Sequence, residues 1–219
     1  MKENKVICFL GDSITEGVGA SVPDKKYVEV FREITGYEVR NYGVSGTRFA
    51  RQKKLSSPAS FDYDFQLRAD MLISMEKQID YVFVFGGTND FGHGDAGLGE
   101  LSDTDPYTFC GGANNVFHKL VSTYGRDKVC CILPLHRWNE KNPYGSGKKY
   151  ISVPLEEYRR LLVAIINKFN LSSVDLWENG LPAPQSCMAD EYFADGLHPN
   201  DKGHRLIAEK LAEYIKNKL

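Results

Sequence analysis

Ser13 stands in Leu10-Gly11-Asp12-Ser13-Ile14-Thr15-Glu16-Gly17, directly after the apolar run Val6-Ile7-Cys8-Phe9-Leu10. A serine hydroxyl is a weak nucleophile until a neighbouring base takes its proton. The usual base is an imidazole, held in one tautomer by a carboxylate. The chain has five histidines: His93, His118, His136, His198 and His204. His198 has an acid three residues earlier across a tight glycine-containing turn, in Asp195-Gly196-Leu197-His198-Pro199. Asp195 could orient His198, and His198 could reach Ser13. His118 and His204 fall in helical patterns and read as structural or solvated. His93 and His136 fall in loops. Each fragment alone also has a plain reading. Asp-Gly is a common turn, His-Pro often marks a helix start, and Gly87-Thr88-Asn89-Asp90 can be a self-bonded loop.

These side chains need a scaffold that brings positions 13 and 198 together. A short apolar run ended by glycine reads as a strand buried on both faces. Ser13 then sits where a central strand ends and a helix begins. Further strands are expected over 37–42, 80–85, 129–134 and 173–177. Helical spacing marks Tyr27, Val28, Phe31 and Ile34, then Leu67, Met71, Leu72 and Met75. It continues over 115–124, 155–169 and 201–216, the last with Leu206, Ile207, Leu211, Tyr214 and Ile215 on its apolar face. Alternating strands and helices imply a parallel α/β sheet covered on both faces. Long polar loops follow the strands, and ligands bind outside the carboxyl ends of such strands. One domain over 1–219 is expected, with insertions near 48–65, 91–108 and 135–150. The 91–106 stretch reads as a long glycine-rich binding loop.

The bulk numbers agree with an enzyme-sized core. The chain has 219 residues, 42% of them hydrophobic, with a net charge of −2 and a pI of about 6.2. Neither a nucleic-acid partner nor an acidic membrane surface is called for. Cys8, Cys110, Cys130, Cys131 and Cys187 are odd in number and lack C-x-x-C spacing, so they read as buried free thiols in a reducing compartment. No signal peptide is seen and no run approaches a membrane span, so a cytoplasmic protein is expected unless a leader was removed.

Four blocks, in order, resemble the GDSL, or SGNH, hydrolase superfamily. They are Gly11-Asp12-Ser13-Ile14, Asn41-Tyr42-Gly43-Val44-Ser45-Gly46, Gly87-Thr88-Asn89-Asp90 and Asp195-Gly196-Leu197-His198-Pro199. Ile14 stands where the family commonly has leucine. The resemblance covers nearly the whole chain. It implies a flavodoxin-like, three-layer α/β/α sandwich with a five-stranded parallel sheet. It implies Ser13 as nucleophile, His198 as base and Asp195 as its partner. It implies an oxyanion hole made of the Ser13 amide, the Gly46 amide and the Asn89 side chain, with Gly43 as the rival donor in the second block. Asp12 could touch the substrate, but the family reading makes it structural, bonding loop amides near Ser13; Thr15 and Glu16 belong to the helix start, and Thr88 and Asp90 brace Asn89. Other motifs fail on detail. Gly17-Val18-Gly19-Ala20-Ser21-Val22 lies too far past the strand for a dinucleotide fingerprint, and no P-loop, Gly-x-Ser-x-Gly elbow or zinc motif is present.

Loop residues are the only guide to substrate. Arg48, Arg51, Phe61, Tyr63, Phe91, Tyr107, Phe109, Trp138 and Tyr144, with His136, could line the mouth. Of these, Arg48, Phe91, His136 and Trp138, with Asp12, are the candidate substrate contacts. Such a rim suits a short acyl group, acetyl first, on a carbohydrate or other polar alcohol. A longer acyl ester is the alternative, and an inert carbohydrate-binding protein the reading from another class. The expected partner is a small-molecule or saccharide ester. No cofactor, metal or membrane insertion is expected, and the oligomeric state is left open.

Overall fold

The structure is a computed structural model, described over residues 5–53, 64–141 and 153–219. Five strands pair in parallel: β1 (Val6–Gly11), β2 (Glu38–Gly43), β3 (Tyr81–Phe85), β4 (Val129–Ile132) and β5 (Ser172–Val174). Their order is β2-β1-β3-β4-β5, the flavodoxin-like order in which chain direction switches beside β1 and β3. Seven α-helices accompany them among the described residues: α1 (Ser13–Glu16), α2 (Tyr27–Thr35), α3 (Phe65–Met75), α4 (Thr88–His93), α5 (Phe109–Tyr124), α6 (Leu155–Lys168) and α7 (Asp201–Lys216).

Side chains alternate across the sheet, as the pleat requires. Cys8, Leu10, Val82, Val84, Val129 and Cys131 face one core, which α3, α5 and α6 cover. Ile7, Phe9, Tyr81, Phe83, Cys130 and Ile132 face the other, under α2 and α7. In that second core Phe9 stacks on Phe83 at 5.1 Å and meets Phe31 edge-on at 5.1 Å. The central strands are buried on both faces, whereas β2 at the edge carries half-buried and exposed residues. Its charged Glu38 and Arg40 protect that edge from pairing with another chain.

Some expectations change. The α5 helix starts at Phe109, not near 115. Gly111 and Gly112 lower helix propensity, but both are sites of close approach. A Cβ on Gly112 would lie 2.1 Å from the Phe49 carbonyl oxygen. The α3 helix forms, yet Leu67, Met71 and Met75 are exposed, and Phe65, Gln66, Ala69 and Leu72 make its buried face. The expected loop at 91–106 begins inside α4, which also holds His93. Cys187 is exposed, while the other four free cysteines are buried. Burial pushes the Cys8 thiol up to about 12. The insertions near 48–65 and 135–150 lie partly outside the described residues. No described helix is long and apolar enough to cross a membrane.

Candidate active site

The carboxyl ends of β1, β2 and β3 and the turn before α7 meet at one place. Asp12 ends β1 and caps α1, its Oδ1 accepting the Ile14 amide at 3.0 Å. This fixes Ser13 as the first residue of α1, 7% exposed. His198 Nε2 lies 3.0 Å from Ser13 Oγ, and His198 Nδ1 lies 2.7 Å from Asp195 Oδ2. Ionised, Asp195 only accepts, so Nδ1 carries the proton and Nε2 turns its lone pair to the serine hydroxyl. The other carboxylate oxygen, Oδ1, accepts the Leu197 amide at 3.0 Å and the His198 amide at 2.7 Å. Partial burial pushes the Asp195 carboxyl up, but the His198 amide and imidazole and the Leu197 amide together hold it below its ordinary value.

The loop after β2 passes alongside. Its amides are committed one after another. Gly43 donates to Asn41 Oδ1 (2.8 Å), Val44 to the Gly11 carbonyl (3.0 Å), Ser45 to Glu16 Oε2 (2.7 Å) and Thr47 to the Val44 carbonyl (3.3 Å). Among the described residues, nothing accepts from the Gly46 amide. Gly46 has φ +79°, in the left-handed region where glycine carries no steric cost. Asn89, in the first turn of α4, donates from Nδ2 to the Thr47 carbonyl at 3.2 Å, so it adjoins the same loop. Behind it, Asp90 accepts the Phe49 and Ala50 amides, both at 3.0 Å.

The acids behind the site are buried. Burial pushes Asp12 up to about 7, against the Ile14 amide and Arg137, which pull it down. Burial likewise takes Asp90 to about 7, against the Ala50 and Phe49 amides. Arg137 lies among Asp12, Asp195 and Glu140, and burial lowers it to about 10 despite them. Its Nη1 donates to the Thr88 carbonyl (3.0 Å) and lies 3.2 Å from Thr88 Oγ1. The next residue, Trp138, donates its amide to the Gly196 carbonyl at 2.7 Å. The segment after β4 therefore straps the start of α4 to the Asp195–His198 turn. Nothing in the spacing marks Arg137, whose partner Thr88 lies 49 positions away. Glu16 was read as part of a helix start, and its link to Ser45 spans 29 positions.

Of the expected rim, the structure leaves Trp138 beside the Asp195 turn, 41% exposed. Asp12, next to Ser13, is buried rather than open to a ligand. Phe91 and Phe109 are corrected: both are core residues, 0% and 1% exposed, and Tyr158 packs edge-on against each. Arg48 is also buried, its guanidinium 2.7 Å from Asp95. Arg51 pairs with Asp64, and Tyr107 is half-buried. His136 contacts the Glu140 carboxylate at 2.9 Å and packs on Trp177. Phe61, Tyr63 and Tyr144 lie outside the described residues. His204 is fully buried under the site, while His118 is exposed.

Comparison with solved structures gives full-length matches. A protein from Lactobacillus plantarum superposes with a TM-score of 0.79 at 24% identity, covering 100% of both chains. A carbohydrate acetylesterase from Sinorhizobium meliloti gives 0.71 at 14% identity, covering 98% of this chain and 100% of the other. An aryl esterase from M. smegmatis gives 0.69 at 19% identity, again covering 98% and 100%. These likenesses show the fold. No curated protein matches the sequence. The model of the GDSL-like lipase/acylhydrolase family matches residues 9–206, a stretch that contains all four blocks. With that match added to the parallel sheet and the grouping of Ser13, Asn89, Asp195 and His198 at its edge, the chain belongs to the GDSL-like lipase/acylhydrolase family of carboxylic ester hydrolases.

Proposed function

We propose that this chain, as one domain, is a serine esterase that removes a short acyl group, acetyl first, from a carbohydrate or another polar alcohol. The observation that carries the mechanism is the relay of 2.7 Å from Asp195 to His198 and 3.0 Å from His198 to Ser13. Ser13 Oγ attacks the ester carbonyl carbon while its proton passes to His198 Nε2. Negative charge moves to the carbonyl oxygen. The amides of Ser13 and Gly46 and the Asn89 side chain donate to it. Asp195 stabilises the imidazolium without taking the proton. Collapse breaks the bond to the alcohol oxygen, and His198 returns the proton to that leaving group. Water then enters by the same route, splits the acyl-serine and restores the hydroxyl.

The short acyl group is supported by where the aromatic side chains went. Phe91 and Phe109, which a long apolar acyl groove could have used, are buried in the core. The likeness to a carbohydrate acetylesterase points the same way. A series of p-nitrophenyl esters tests the reading. Acetate should be the preferred substrate, Ser13→Ala should be inactive, and a fluorophosphonate should label Ser13 alone. A preference for octanoate would favour the longer acyl ester. Absence of turnover with every ester would favour an inert binding protein.

A further inference from the structure

We infer that Glu16 is a positioning residue that holds the Gly46 amide in line with Ser13; the inference rests on the assignment of Gly46 to the oxyanion hole made above. Glu16 closes α1, the turn that begins with Ser13, and its amide is bonded to the Asp12 carbonyl at 2.9 Å. Its carboxylate reaches across to the loop after β2. One oxygen, Oε2, accepts both the Ser45 amide (2.7 Å) and the Ser45 hydroxyl (2.5 Å). Backbones meet here as well. A Cβ on Gly43 would lie 2.1 Å from the Glu16 nitrogen, and Asn41 Nδ2 donates to the Thr15 carbonyl at 2.9 Å.

The need for a tether follows from Gly46 itself. Glycine rotates at little cost, so the direction of its N–H is set by its neighbours rather than by its own backbone preference. On one side Thr47 is tied to Val44 and to Asn89. On the other side Ser45 is tied to Glu16. Release of Ser45 frees the peptide that carries the Gly46 N–H and leaves a second unbonded amide next to it. The negative charge of Glu16 is not what the site needs, because an anion near a developing oxyanion opposes it. The two bonds are what matter, and since both end on one oxygen, a glutamine carbonyl can accept both.

The test uses the full chain with p-nitrophenyl acetate as substrate and phenylboronic acid as a serine-bound mimic of the tetrahedral state. Glu16→Ala should lower kcat about tenfold, less than the loss of a whole donor, with KM little changed. Phenylboronic acid should bind more weakly by a similar factor. Glu16→Gln should recover both values to within about twofold of the parent. Three results would overturn the role: an unchanged kcat in Glu16→Ala, a Gln variant as slow as Ala, or a rise in KM alone. Melting temperatures identify a variant that merely unfolds, and a kcat per folded molecule equal to the parent's also overturns the role. Asn89→Ala, run alongside, separates the two levels. If it is slow and Glu16→Ala is not, only the positioning role falls. If both keep the parent kcat, the oxyanion assignment falls with it.

Discussion

Asn89 has two N–H groups on Nδ2, and the Thr47 carbonyl takes one of them. The second is what a substrate oxygen can receive. Asn89→Ala should therefore reduce kcat about a hundred- to a thousandfold, roughly 3–4 kcal/mol, while KM moves little. Asn89→Asp should be at least as slow, because its carboxylate faces the oxyanion with like charge. Steady-state kinetics on p-nitrophenyl acetate, with a melting temperature for each variant, decide the matter; a rise in KM alone would make Asn89 a substrate contact. At this scale the residues proposed to react were legible, because each sits in a short block of its own. The family resemblance favours Gly46 over Gly43, but spacing alone does not separate them. In the structure Asn41 accepts from Gly43 and Glu16 from Ser45, which leaves the Gly46 amide open among the described residues and supports the proposed choice. Neither side-chain orientation leaves a mark in spacing. Arg137 was hidden for the same reason, since its partner Thr88 is 49 positions away.

The elements behind the site are set by close backbone contact as much as by apolar faces. Helix α5 lies against the loop that holds Phe49, and Asp90 fixes that loop from the other side. Gly112→Ala weighs two effects of opposite sign. Alanine favours a helix over glycine by about 1 kcal/mol. Its Cβ would meet the Phe49 carbonyl oxygen at 2.1 Å, so backbone must move. Overpacking of this kind costs about 1–3 kcal/mol, and with a carbonyl as the obstacle the upper half of that range applies. Urea unfolding should show Gly112→Ala to be less stable than the parent by about 1–2 kcal/mol, the difference of those terms. A more stable variant would show that the loop yields freely. The same physics explains why the start of α5 was illegible. Gly111 and Gly112 look like helix breakers in a list of propensities, and only the approach of Asp105 and Phe49 shows what they are for. The apolar spacing marks α3 but not its buried face, since Leu67, Met71 and Met75 follow the helical period and are exposed.

Across the whole molecule, His204 joins three parts of the chain. Its Nδ1 accepts the Tyr27 amide at 3.2 Å and its Nε2 donates to the Val18 carbonyl at 3.2 Å, so α7 is pinned to α2 and to the segment after α1. Burial lowers its pKa to about 4, against about 6.5 in an unfolded chain. Between those values the unfolded chain binds more protons than the folded one, so stability rises with pH and is lost as pH falls through the window. The slope reaches about 1.4 kcal/mol per pH unit at most. Asp12 and Asp90, raised by burial, act in the opposite sense. The clean measurement is the stability difference between the parent and His204→Gln in urea from pH 7.5 to 4. It should shrink as pH falls, and a constant difference would show that His204 does not titrate with folding. The alternation of strands with helices along the chain made the layered α/β class legible, but strand order came through the family resemblance, since that alternation is silent about which strand lies beside which. That order has a further result in time. Ser13, the proposed nucleophile, lies in the first strand–helix turn, and His198, its proposed base, follows 185 residues later. At about 5–20 residues per second, synthesis of that interval takes roughly 10–40 s. For all of it the growing chain carries Ser13 without His198, so on the mechanism proposed above a ribosome-bound fragment lacks the base. Fluorophosphonate labelling of stalled nascent chains should therefore appear only once His198 can join Ser13, and labelling of shorter chains would show that Ser13 reacts without it.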